Sequence, residues 1–156
     1  MSREPLTLTS ATASHLLQMM NWFPSADSCR IWGGPEFRFP FTAETFQADC
    51  QLAERPSFAL LEEGGVFCGF GQYYLRAGRC HLARLAIAPA CRGRGLGTRL
   101  IELLAHAGKA ALGVEQCSLF VSAANPSAMA LYQRRGFARA DYPHGTGNPG
   151  VYYMVR

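Results

Sequence analysis

Leu6 and Leu8 alternate with threonines, which predicts a short strand, and Thr12 stands where a cap would open a helix carrying Leu16, Leu17 and Met20. From Trp22 to Pro40 the periodicity breaks. Aromatics, glycines and prolines crowd together there, as in Trp32-Gly-Gly-Pro35 and Phe37-Arg-Phe-Pro40, and predict an irregular segment ordered by ring packing. Thr42 caps a second helix, with Phe46, Cys50 and Ala53 on one face. Residues 57–61, 66–75 and 79–88 read as three strands joined by the short turns Glu62-Glu-Gly-Gly65 and Arg76-Ala-Gly78, an antiparallel meander. After Pro89 the period changes to that of a helix: Leu96, Leu100, Leu103 or Leu104, Ala107 and Ala111 recur on one side until Gly113 ends the run. A strand at 117–121 follows. Asn125-Pro126 then supplies a cap and a first-turn proline for a helix over 125–135, which Gly136 ends, and strands are expected at 137–142 and 151–155.

This order predicts an α/β (α+β) fold in one domain spanning 1–156: a mixed, mostly antiparallel sheet with flanking helices. A right-handed crossover joins the 79–88 and 116–121 strands, so they form a locally parallel central pair. The length suffices to bury a core without metals or disulfides. Six scattered cysteines show neither zinc nor small-scaffold spacing and read as reduced, mostly buried thiols, so no metal is expected. No apolar run approaches the roughly 20 residues that cross a bilayer, and the first residues do not read as a signal region, so the expected setting is cytoplasmic, with no membrane partner. The formal charge of +4 is too mild for a nucleic-acid coat but suits a polyanionic ligand.

Chemistry concentrates between a strand and an amphipathic helix, at Arg92-Gly-Arg-Gly-Leu-Gly97. Free backbone N–H groups and the positive helix end converge there, glycines at 93, 95 and 97 permit close approach and positive φ, and Arg92, Arg94 and the Thr98 hydroxyl add charge and a donor. A pyrophosphate suits the loop better than a lone carboxylate. A nucleotide-triphosphate loop would need a Gly-Lys-Ser/Thr ending, and a dinucleotide loop would need glycine where Thr98 stands. A plain turn with exposed arginines is the remaining alternative.

Leu85-Ala-Ile-Ala-Pro-Ala-Cys-Arg-Gly-Arg-Gly-Leu-Gly97, then Val121-Ser-Ala-Ala-Asn125, Ala130-Leu-Tyr132 and Gly136-Phe137, together resemble the GNAT N-acetyltransferase superfamily. Arg92-x-x-Gly95-x-Gly97 is similar to that family's cofactor signature, and the later residues match its second block in order and spacing. The resemblance covers residues 79–137. It implies an acetyl-CoA (coenzyme A)-dependent N-acetyltransferase that passes its acetyl group directly to a primary amine in a ternary complex. It implies further that the backbone of Leu85, Ala86 and Ile87 bonds the pantetheine arm. Arg92, Gly93, Arg94, Gly95, Leu96, Gly97 and Thr98 would hold the pyrophosphate, and Asn125 would contact the cofactor near the thioester. Tyr132 would donate a proton to the departing thiolate, as a phenol of ordinary pKa about 10 can at neutral pH. Asn125 and Tyr132 are seven residues apart, near two helical turns, so both can face one cleft. Read without the family, Tyr132 is better taken as a core aromatic and Asn125 as a cap.

Two roles are less determined. In the family, the segment between the first two helices and the last hairpin wall the acceptor site, here about Trp22–Pro40 and Pro143–Gly150. Trp32, Phe37 and Phe39 are then candidates for an apolar pocket, with Glu36 or Asp27 drawing the ammonium group; the alternative is that the rings only pack the loop. For the general base, several relatives carry a glutamate where this chain has His81. Strand alternation puts His81, Ala83, Leu85 and Ile87 on one face, and an imidazole of pKa about 6.5 suits the task; a water relay is the alternative. The expected partner is a small-molecule or peptide amine, not a nucleic acid, with a homodimer left open. A non-catalytic coenzyme A-binding sensor or interaction module is the competing reading of the same motifs.

Overall fold

The computed structural model describes residues 5–145 and 149–156. Its strands are β1 (Leu6–Ser10), β2 (Ser57–Glu62), β3 (Phe67–Arg76), β4 (Arg79–Ile87), β5 (Cys117–Ser122), β6 (Ala138–Arg139) and β7 (Val151–Val155). Its helices are α1 (Ala13–Met19), α2 (Ala26–Gly33), α3 (Ala43–Cys50), α4 (Leu96–Leu112) and α5 (Pro126–Arg134), with single 3-10 turns at Met20–Trp22 and Pro89–Cys91. All seven strands join in one sheet, ordered β1-β2-β3-β4-β5-β7-β6. Each neighbouring pair is antiparallel except β4 and β5, which are parallel.

Caps set the helix starts. The Thr12 and Thr42 hydroxyls accept from the N–H groups of His15 and Thr45, and Asn125 Oδ1 accepts from the Ala128 N–H with Pro126 in the first turn. The stretch expected to be irregular between Trp22 and Pro40 contains α2. Ser25 Oγ accepts from the Ser28 N–H at 3.1 Å while Ser28 Oγ accepts from the Ser25 N–H at 3.2 Å, a reciprocal cap obscured in the sequence by the Gly-Pro run that follows. The strand expected over 137–142 shrinks to the two residues of β6, Ala138 and Arg139, which pair with β7, followed by a single bond from the Ala140 N–H to the Tyr153 carbonyl.

Alternation along β4 is interrupted. Gln72 pairs with Ala83 but Phe70 pairs with Ala86, so Gly71 alone stands opposite Arg84 and Leu85, and Arg84 takes φ 50°. That bulge shifts the phase by one residue. His81 therefore shares a face with Ala83 and Ala86, not with Leu85 and Ile87 as strict alternation predicts. Leu85 lies on the α4 side, where a Cβ on Gly71 would come within 2.7 Å of Leu104 and 2.9 Å of Leu85. The other face is covered by α2 and α3: Gln72 Nε2 donates to the Cys50 carbonyl at 2.6 Å, and the Trp32 indole N–H donates to the Arg84 carbonyl at 2.9 Å.

The core has two parts. One gathers Met19, Phe46, Leu60, Phe70 and Leu100; the other gathers Leu82, Leu104, Leu119, Phe137 and Met154, and Leu85 packs against both. All six cysteines are free and buried. Among the described residues no helix is long and apolar enough to cross a membrane.

Candidate active site

Parallel pairing between β4 and β5 lasts for only three residue pairs, Cys80 with Cys117, His81 with Ser118 and Leu82 with Leu119. Beyond them β4 runs on to Ile87 and β5 to Ser122 without bonding each other. A cleft of about 730 Å³ opens there, lined by Leu82–Ile87 on one strand, Leu119–Ser122 on the other, Trp32 from α2, and Asn125 and Tyr132 of the α5 segment. Along this stretch the two strands do not pair with each other, and of the β4 carbonyls Arg84 accepts from the Trp32 indole and Ile87 from Arg92, so the remaining inner-edge groups are left to bond whatever enters.

Arg92 lines one end of this cleft and donates from Nε to the Ile87 carbonyl at 3.2 Å. Next along the chain, Gly93 (φ 80°) and Gly95 (φ 76°) both lie in the left-handed region, and a Cβ built on either would meet nothing within 4 Å. Gly95 opens α4 with no side chain capping it, so first-turn N–H groups face an open space beside the positive helix end. Gly97 differs from its expected role: it sits inside α4, where a Cβ would lie 3.4 Å from Leu131, and positive φ is not needed there. Arg94 forms an ion pair with Glu62, which ties the loop to the end of β2.

Asn125 caps α5 with its oxygen, and its side-chain nitrogen has no protein partner among the described residues. Tyr132 lines the cleft two turns along the same helix, its ring 6.1 Å from that of Phe137. Burial pushes its phenol up to about 12. Such a group stays protonated and can donate a hydrogen bond to charge that develops nearby.

His81 does not line the cleft. It is 2% exposed, its Nδ1 lies 2.8 Å from Ser118 Oγ, and the rings of Tyr74, Phe120 and Tyr153 enclose it. Burial first, then Arg76 and Arg55, press its pKa down to about 3. The imidazole is neutral at pH 7, but its conjugate acid is far too strong to hold a proton taken from an ammonium group. The expected acceptor residues also separate. Trp32 lines the cleft, stacked on Phe23 at 4.1 Å and Phe46 at 5.8 Å. Phe37 is 3% exposed in the core beneath it, and its ring is not part of the cleft's lining. Glu36 is exposed, and neither it nor Asp27 nor Phe39 lines the cleft. Of the expected hairpin wall, residues 146–148 lie outside the described residues.

A second cavity, of about 830 Å³, adjoins the first through Phe120, which lines both. Its walls are Tyr142, Tyr152 and Tyr153, with Arg76, Arg139 and Asp141 contributing charge. None of these was marked by a motif. The available signal was weaker, a cluster of aromatics in the last two strands and an arginine closing a strand run.

The acetyltransferase (GNAT) family model matches residues 19–137. Over 66 residues the chain is 36% identical to an uncharacterized N-acetyltransferase, YjgM, of Escherichia coli (strain K12); the match takes in 42% of this chain and spans only 39% of that protein's length. The structure resembles that of an acetyltransferase from Thermus thermophilus, at 28% identity and a TM-score of 0.72, with 97% of this chain and 96% of the other covered. It also resembles spermidine N-acetyltransferase from Vibrio cholerae in complex with CoA and spermine, at 19% identity and a TM-score of 0.72, covering 97% and 94%.

Proposed function

We propose that this chain, which belongs to the acetyltransferase (GNAT) family, is an acetyl-coenzyme A-dependent N-acetyltransferase acting on a primary amine. The observation that carries the reading is the parting of β4 from β5 directly beside the uncapped start of α4. The residues present fit coenzyme A: open space over Gly93 and Gly95 would be filled by any larger side chain, and it lies where backbone N–H groups are unpaired. The CoA complex of the Vibrio cholerae relative, which has the same fold, supports this assignment.

Residues 92–98 would hold the pyrophosphate, the inner edge of β4 from Leu85 to Ile87 the pantetheine, and Asn125 the thioester end. When bound, acetyl-coenzyme A supplies an acyl group activated as a thioester. The protein orients it, excludes water with Trp32 and Leu119, and donates a hydrogen bond from Tyr132 toward the sulfur. A phenol raised to about 12 is a weaker acid than a thiol of ordinary pKa about 8.5, so Tyr132 stabilises the developing thiolate by hydrogen bonding more than by complete proton transfer. Deprotonation of the amine falls to water. No carboxylate or histidine lines the cleft among the described residues, and His81 is too acidic when protonated.

The test is calorimetry with acetyl-coenzyme A followed by thiol-release assays across a panel of amines. Binding with turnover is expected. Binding with no turnover of any amine would make the chain a coenzyme A-binding module, and absence of binding would remove the cleft assignment.

A further inference from the structure

The second cavity has a charge pattern that says something about the acceptor. Its wall at Phe120 is shared with the cleft, so a molecule seated among Phe120, Tyr142 and Tyr152 abuts the space assigned to the thioester. The Arg76 guanidinium lies 4.8 Å over the Phe120 ring and 5.3 Å over the Tyr142 ring, and its Nε and Nη1 donate to the hydroxyls of Tyr142 and Tyr74, each at 2.9 Å. Both of those partners are hydroxyl groups, not carboxylates. The Arg139 guanidinium lies 3.8 Å over Tyr152 on exposed β6. Neither arginine has an ion pair with a carboxylate among the described residues. Among the described residues Asp141 is the only carboxylate in the lining.

Guanidinium groups held over aromatic rings and free of carboxylate partners keep N–H donors for a planar anion, and two of them repel a polycation. Resting on the N-acetyltransferase reading, we propose that the acceptor is a small primary alkylamine that also bears an aromatic ring and a carboxylate. The carboxylate pairs with Arg76 and Arg139, the ring enters among Phe120, Tyr142 and Tyr152, and the amine points past Phe120 into the cleft. Asp141 is placed to draw in the ammonium form. The acceptor thus differs in charge from the spermine held by the Vibrio cholerae relative. In the reaction the amine nitrogen forms the new bond to the acetyl carbon, the carbon–sulfur bond breaks, and the nitrogen's proton leaves through water.

The test compares kcat/KM, by coenzyme A release, within pairs that differ only in the anion: L-phenylalanine against L-phenylalaninamide, and 4-(aminomethyl)benzoate against benzylamine, with spermidine as the polycation. At least one carboxylated member is expected to exceed its partner by about 10-fold or more, and to exceed spermidine. Arg139→Glu, at an exposed position, should abolish or reverse that preference chiefly through KM, with acetyl-coenzyme A affinity unchanged; Arg76→Gln should reduce it. Equal or better turnover of the anion-free members overturns the proposal, as does a preference untouched in Arg139→Glu. Turnover of neither carboxylated amine, in protein that calorimetry shows binding acetyl-coenzyme A, overturns the anion assignment alone. Absence of acetyl-coenzyme A binding overturns the catalytic reading and this one with it.

Discussion

A phenol pushed up to about 12 by burial stays protonated across the neutral range, so in the proposed reaction Tyr132 acts as a donor. Tyr132→Phe keeps the ring against Phe137 and deletes the donor alone. Losing a single hydrogen bond to developing charge is worth about 10²-fold in rate, and kcat should fall by that much while calorimetric affinity for acetyl-coenzyme A changes little. Equal kcat in the two proteins would return Tyr132 to the core. Position 132 was marked by the family resemblance; the spacing of seven from Asn125, on a helix whose start is marked by Asn-Pro, showed only that the two could share a face. Arg84 shows the opposite case. Its buried guanidinium donates to Gln72 Oε1 at 3.1 Å, its Nε has no partner, and burial lowers its pKa, yet nothing in the sequence distinguishes it from a surface arginine. Its environment comes from residues distant in the chain.

At the scale of elements, α4 offers a controlled comparison because both its ends are glycines in the left-handed region with open space around them. Gly95 has φ 76° at the start and Gly113 φ 67° at the finish. An alanine at either site pays the same backbone strain, about 1–2 kcal/mol, with no clash to add. Chemical denaturation should therefore show similar destabilisation for Gly95→Ala and Gly113→Ala. Only Gly95→Ala should weaken acetyl-coenzyme A binding, by an expected 10-fold or more, since its methyl group would occupy the space over the phosphate loop. Equal affinities in the two variants would detach the loop from the cofactor. The elements themselves were mostly legible, because caps, glycine stops and periodicity act locally. The β4 bulge was not. A residue at positive φ in mid-strand is stabilised by what packs around it, here the Trp32 indole bonded to the Arg84 carbonyl, and a two-residue period carries no sign of the phase change. That single missed residue moved the expected face of His81 relative to Leu85 and Ile87.

Across the whole molecule the sheet is joined at its middle by the short parallel seam between β4 and β5, and His81 sits in the centre of that seam. Its neighbours are Ser118, three aromatic rings and the positive charges of Arg76 and Arg55, with no carboxylate to favour the imidazolium. The folded-state pKa of about 3 lies below the ordinary 6.5, so between these values the unfolded chain takes up a proton that the folded protein refuses. Stability from this group is therefore full above about pH 6.5 and declines as pH falls toward about 3, at roughly 1.4 kcal/mol per pH unit. From pH 6.5 to 5 that amounts to about 2 kcal/mol, or about 4–8 °C in Tm for a chain of this size. His81→Gln removes this titration while keeping a polar group for Ser118, and its Tm should fall distinctly less than that of the wild type over the same interval. His15, also lowered by burial, adds a slope of the same sign that both proteins share. Asp49, held low by Arg38, responds only below the ordinary carboxylate range and so outside this interval. Parallel Tm curves for wild type and His81→Gln between pH 6.5 and 5 would show that the imidazole is not held neutral in the seam.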